Sequence, residues 1–194
     1  MGQPKAWLPF AGELMLPRVV RLLGQAVQPI VVVAAPGQDV PPLSDDITIV
    51  RDEEKGRGPL EGLAAGLTAL AGTVDAAYLS SCNVPFLVPA FVRRMVDLLE
   101  SHAICVPHVA GFHHPLAAVY RLEVLDAVHR LLAENRLRPV FLFEQCLLHD
   151  SASLRIELSI KLIAEPRDRL RMDDALDTLH SDAPLHPTPT VCGL

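Results

Sequence analysis

The stretch Ile30-Val31-Val32-Val33-Ala34-Ala35 constrains the fold of this chain more than any other. Its β-branched residues follow one another with no polar residue between them, and Pro36-Gly37 close the run. A strand that faces water on one side alternates apolar and polar residues. A strand covered on both sides has no such need. The run therefore reads as a buried strand in a sheet with helices on both faces. It is far too short to cross a bilayer.

The rest of the chain alternates in the same way. Leu16, Val19, Val20 and Leu23 stand at helical spacing and predict a helix over 14–26. A short strand is expected over 46–50. A polar, glycine-rich loop over 53–58 leads to Pro59, which suits the first turn of a helix running to 70. A strand over 76–82 follows, then a helix opened by Pro89 over 89–101. Strands over 103–106 and 115–120 precede helices over 122–135 and 140–148. Short strands within 154–163 and a helix over 174–180 complete the series. Beyond 182 the chain is proline-rich and reads as a loose tail. Strands alternating with helices predict an α/β fold with a mostly parallel sheet covered on both faces. A length of 194 residues suits one domain, here over 1–181, followed by the tail 182–194.

Charge and cysteine usage narrow the function classes. A net charge of -6 argues against a general nucleic-acid binder, although a few cations and backbone amides suffice for a nucleotide. Cys82, Cys105, Cys146 and Cys192 form no C-x-x-C pair. Cys82 and Cys105 lie in or beside apolar runs and read as reduced core residues, which points to a reducing compartment. Pro4, Pro9 and Glu13 interrupt the N-terminal stretch, so no secretory signal is read there. The expectation is a soluble cytoplasmic protein with no membrane segment.

In open α/β sheets, ligands bind just outside the carboxyl ends of the strands. Two polar residues fall there. Asn83 follows the strand over 76–82, just before the Val84-Pro85-Phe86 that stops it, and Asp52 ends the strand over 46–50. Asp52 is either a turn-forming aspartate or a group that meets a base, a ribose or a metal. Gly56-Arg57-Gly58-Pro59-Leu60-Glu61-Gly62 follows a strand and opens a helix. It lacks the G-K-[ST] of a phosphate-binding P-loop and the glycine spacing of the dinucleotide fingerprint. Even so, its helix N-terminus faces the carboxyl ends of the strands, where amides meet an anion or a base. Lys5, taken alone, is a solvated terminal lysine; its functional alternative is a cation for phosphate oxygens. His108, His113 and His114 flank Gly111 in a hairpin-like loop whose spacing fits no zinc ligand set. Arg136, Arg138 and Arg155 read as solvated arginines, with an anion-binding surface as the alternative. No arrangement for nucleophilic hydrolysis is legible.

The order of these signals carries more than any one of them. Met1-Gly2-x-x-Lys5, Leu8-Pro9-Phe10, Arg51-Asp52, Gly58-Pro59-Leu60-x-Gly62, Cys82-x-Val84-Pro85-Phe86 and His114-Pro115 follow one another over residues 1–180. Together they resemble the molybdenum cofactor guanylyltransferases. The resemblance implies a Rossmann-like, three-layer nucleotidyltransferase fold. It implies transfer of GMP from GTP to the terminal phosphate of molybdopterin, with Mg²⁺ and release of pyrophosphate. It assigns Lys5 to catalysis and phosphate binding, and Asp52, Gly58, Pro59, Leu60 and Gly62 to the nucleotide. Asn83 stands where the family has its magnesium-binding aspartate, and His114 and Asp174 fall on the pterin side. The implied partners are GTP, molybdopterin or the molybdenum cofactor, and molybdoenzymes.

The chain departs from the family pattern in three places. The family begins with a strand and an L-A-G-G-x-S-x-R-M-G-x-x-K loop, of which this chain carries only the final M-G and the lysine. The expectation is a sheet without its first strand, leaving two neighbouring strands with unpaired edges. The simplest account is that Met1 is an internal methionine of a longer protein. Asn83 offers one neutral oxygen where the family offers a carboxylate, and Mg²⁺ prefers anionic oxygens. Met172 and Asp174 replace two asparagines of the family's L-R-N-x-N-T-P-E. Two alternatives stand beside guanylyl transfer. One is a catalytically impaired homologue that binds nucleotide, molybdopterin or a molybdoenzyme. The other is a related cytidylyltransferase, which the Gly-Pro-Leu-x-Gly block disfavours.

Overall fold

The computed structural model describes residues 4–52, 56–149, 155–156 and 190–193. A 3₁₀ turn, Lys5–Trp7, leads into a small hairpin of β1 (Pro9–Phe10) and β2 (Glu13–Leu14). Next come α1 (Met15–Leu23), β3 (Ile30–Ala34), β4 (Thr48–Arg51), α2 (Pro59–Leu70), β5 (Ala76–Ser81) and α3 (Pro89–Asp97). They are followed by β6 (Ile104–Val109), β7 (Phe112–His113), β8 (Ala117–Arg121) and a 3₁₀ turn, Leu122–Val124. The remaining described elements are α4 (Leu125–Ala133), α5 (Val140–His149), β9 (Arg155–Ile156) and β10 (Thr190–Gly193).

Three layers follow from the two-residue period of the strands. Val31 and Val33 of β3, Ala77 and Leu79 of β5, and Ala118 and Tyr120 of β8 pack with Leu60, Leu63 and Leu67 of α2, Leu131 of α4 and Leu142 of α5. Ile30 and Val32, Ala76 and Tyr78, and Val119 point the other way. They pack with Leu16, Val19 and Leu23 of α1 and with Val92 and Met95 of α3. All five residues of β3 are buried, so this apolar run is covered on both faces as expected. Each large aliphatic residue so buried contributes about 1.5–3 kcal/mol relative to exposure. Cys82 and Cys105 are buried free thiols in the same core, and burial pushes the Cys105 thiol up to about 11.

The main sheet runs β4-β3-β10-β5-β8-β6-β7, with β9 on β6. β4, β3, β10 and β5 are mutually parallel. β8 lies antiparallel to both β5 and β6. The sheet is thus mostly parallel, as predicted, with one reversed strand inside it.

β10 changes two expectations. Residues 190–193 are not a loose tail but a strand in the centre of the sheet. Val191 lies opposite Val31 on one side and Leu79 on the other, and Gly193 lies opposite Val33 and Ser81. The gap expected between β3 and β5 is therefore filled from the far end of the chain. The physical reason is backbone pairing. Without β10, the inner edges of β3 and β5 would carry buried N–H and C=O groups with no strand partner. The expected helix over 174–180 and the rest of the 182–194 segment lie outside the described residues.

Element ends differ by a few residues. α3 stops at Asp97 rather than 101, with Glu100 in a left-handed conformation just beyond. The first three residues of the helix expected over 122–135 form a 3₁₀ turn instead.

Candidate functional site

The polar residues singled out in the sequence gather at the carboxyl edge of the parallel strands. Asp52 follows β4, and its amide donates to the Ala34 carbonyl, extending the β3–β4 ladder by one residue (3.0 Å). Asn83 lies two residues past the end of β5, and the Ser81 hydroxyl donates to its Oδ1. His114 precedes β8, whose antiparallel direction returns it to this edge, and its amide donates to the Pro107 carbonyl (3.0 Å). Lys5 is exposed in the first 3₁₀ turn. Its charge reaches the Cys82 thiol, which burial raises and the lysine partly lowers. Ala6, the next residue, packs in the same buried cluster as Cys82, which brings the Lys5 turn to the end of β5. Three strand steps separate β4 from β5, so Asp52 and Asn83 stand roughly 14 Å apart along the edge. Asp174 lies outside the described residues.

The loop 56–62 is held by its own geometry. Gly58 caps α2 with φ +75°, a conformation that favours glycine. Pro59 takes the first helical position, where no N–H is needed. Gly62 lies beside Asp52: a Cβ there would stand 4.0 Å from Asp52 Oδ1, an ordinary contact. Asp52 Oδ1 is buried and accepts no hydrogen bond among the described residues. Burial raises the Asp52 pKa, and the nearby Glu61 charge raises it further.

Sequence reasoning missed Glu61, Arg57 and Arg18. Glu61 is 6% exposed in the first turn of α2. Its Oε2 lies 3.7 Å from Arg57 Nε and accepts no hydrogen bond among the described residues. Arg57 in turn donates to the Leu132 carbonyl of α4. A signal for Glu61 was present, since α2 reads Pro-Leu-Glu-Gly-Leu-Ala-Ala-Gly-Leu-Thr-Ala-Leu, apolar nearly all round except for that carboxylate. Arg18 has no comparable signal. From α1 it donates to the Pro85 carbonyl (2.8 Å) and to Glu13 (2.6 Å), and it lies 5.2 Å over the Phe10 ring. Phe10 meets Phe86 edge-on at 5.3 Å. Arg18 thus ties the Leu8-Pro9-Phe10 and Val84-Pro85-Phe86 blocks together.

The histidines form the expected hairpin. His108 pairs with His113 across β6 and β7, and their rings stand 4.8 Å apart. Among the described residues, no group of three or more His, Cys, Asp or Glu could hold a metal ion. The donors at the end of β5 are the neutral oxygens of Asn83 and Ser81. That chemistry suits a Mg²⁺ ion carried on phosphates better than one held by the protein.

Residues 1–148 match the family model of the MobA-like NTP transferase domain. The chain belongs to that family. It is 37% identical over 137 residues to a probable molybdenum cofactor guanylyltransferase of Mycobacterium avium (strain 104), spanning 69% of this chain and 68% of the relative. The protein of the same description from Mycobacterium tuberculosis (strain ATCC 25618 / H37Rv) is 35% identical over 136 residues, with 68% and 67% covered. The fold is similar to that of molybdopterin-guanine dinucleotide biosynthesis protein A from Archaeoglobus fulgidus. That comparison gives a TM-score of 0.57 at 16% identity, covering 74% of this chain and 72% of that one. Rv0371c from Mycobacterium tuberculosis H37Rv gives 0.52 at 21% identity, covering 68% and 70%. As a family member the chain is a nucleotidyltransferase with the expected α/β fold. No helix among its described residues is long and apolar enough to cross a membrane.

Proposed function

We propose that this nucleotidyltransferase transfers GMP from GTP to the terminal phosphate of molybdopterin. The observation that carries this is the row of groups along one sheet edge. Asp52 and the α2 N-terminus stand at one end, and Asn83 with Lys5 at the other. A nucleotide laid along this row has its base at Asp52 and Gly58–Gly62 and its triphosphate towards β5. The name carried by relatives at 35–37% identity supports the same substrate pair.

In this reading the Lys5 ammonium binds phosphate oxygens and offsets the charge that builds as the α-phosphorus is attacked. The molybdopterin phosphate forms a new P–O bond to the α-phosphorus as the bond to the β-phosphate breaks, and pyrophosphate leaves. Asn83 Oδ1 would help to hold Mg²⁺, which would supply further charge neutralisation at the phosphates. His114 lies on the acceptor side. Reduced, buried Cys82 and Cys105 support a cytoplasmic setting.

One observation favours a second reading, a protein that binds GTP with little turnover. Oδ1 of Asn83 already accepts from Ser81 and carries no charge. Incubation with labelled GTP, Mg²⁺ and molybdopterin separates the two readings. Labelled molybdopterin guanine dinucleotide supports transfer. Calorimetric GTP binding with no labelled product supports the binding protein. Faster transfer from CTP than from GTP would overturn the choice of base.

A further inference from the structure

Two buried carboxylate oxygens lie at the start of α2, where a Cβ on Gly62, the residue after Glu61, would stand 4.0 Å from Asp52 Oδ1, and only one belongs to a residue the motif order assigns. Asp52 Oδ1 and Glu61 Oε2 both lack a hydrogen-bond donor among the described residues. Glu61 is more than nine-tenths buried, and its charge acts on Asp52. Arg57, whose Nε lies 3.7 Å from Glu61 Oε2, offsets that charge and also donates to the Leu132 carbonyl. Ionised carboxylates are acceptors only, so the pair calls for a ligand that presents two donors together.

Few ligand edges do so. Adenine presents a donor beside an acceptor. Cytosine presents one donor and two acceptors, and uracil one donor between two acceptors. A phosphate brings only negative charge, which two carboxylates repel. Guanine presents N1–H and the 2-amino group side by side. We propose that Glu61 is a specificity-determining residue that accepts from the 2-amino group of guanine, while Asp52 accepts from N1–H. The inference rests on the guanylyl-transfer reading and names the side chain that enforces its choice of base. A buried polar group left without its partner is costly, which is how such a site rejects a base lacking the donor.

ITP differs from GTP only by loss of the 2-amino group, so it reads this contact directly. Calorimetry with GTP, ITP and CTP, each with Mg²⁺, is run on the wild-type chain, Glu61→Ala and Glu61→Gln. The wild type is expected to bind GTP roughly ten- to a hundredfold more tightly than ITP. In Glu61→Ala that preference falls by about tenfold or more, while ITP affinity changes little. Circular dichroism checks that each variant is folded. Should Glu61→Ala fail to fold, Glu61→Gln decides, because its amide replaces one acceptor with a donor and the preference still falls. A GTP-over-ITP preference that survives in the folded variants overturns the role of Glu61 and leaves guanylyl transfer standing. A wild-type chain that binds CTP as tightly as GTP overturns the guanine reading and this proposal with it.

Discussion

The Ser81 hydroxyl donates to Oδ1 of Asn83 at the carboxyl end of β5. In the proposed site, the oxygen assigned to the divalent ion is therefore neutral and already engaged. Asn83→Asp adds a second oxygen and a negative charge at the same place. With GTP present, it is expected to raise Mg²⁺ or Mn²⁺ affinity on the order of tenfold, about 1.4 kcal/mol. Metal titration followed by calorimetry measures this. Unchanged affinity would show that residue 83 is no ligand.

Arg18 braces two loops that are far apart in sequence. Arg18→Ala removes its bonds to Pro85 and Glu13 and its contact with Phe10. A charged hydrogen bond is worth about 1.5–3 kcal/mol, so a loss of roughly 1–2 kcal/mol is expected in urea unfolding. Lysine at this position does not restore it fully, because it lacks the planar fork. Arg21→Ala, at a more exposed arginine bound to the same Glu13, should leave stability unchanged. Equal losses at both positions would refute the brace.

Asp52 makes stability depend on pH. Burial and the Glu61 charge raise its pKa in the folded chain, so folding favours its protonated form. The stability linked to that proton is present below the unfolded pKa. It is lost as pH rises through the raised folded value. Asp52→Asn removes the penalty and is expected to raise Tm by a few degrees at neutral pH, less in mild acid, while weakening GTP binding. Melting curves across the acidic range and at neutrality measure the trend. A lower Tm at neutral pH would contradict it.

β10 closes the sheet through its backbone, so a proline inside it is the sharpest probe. Cys192→Pro removes an N–H from a strand with neighbours on both sides. The expected cost is about 3 kcal/mol or more, with a lower Tm and loss of GTP binding. A melting profile like that of the wild type would show that this strand contributes little to stability.

Much of this protein is legible in its local sequence patterns. Apolar runs over 30–34 and 76–79, with amphipathic segments between, specify a sheet covered on both faces. That signal is local, because the side-chain period alone reports which faces are buried. The order of the short motifs from Lys5 to His114 specifies the family, which the match over residues 1–148 bears out.

Other features depend on contacts that no local pattern encodes. The strand Thr190–Gly193 is four residues in a proline-rich stretch, and nothing in them names β3 and β5 as neighbours. Its place is decided by two inner strand edges that need backbone partners. Arg18 reaches Pro85 across 67 positions of sequence, and Asp52 meets the Glu61 charge only once α2 packs beside β4. The sequence by itself determined the layers, the family and the residues available to the site. The tertiary structure alone decided which strand fills the centre of the sheet and which buried charges face one another, because pairing and desolvation belong to residues brought together by folding.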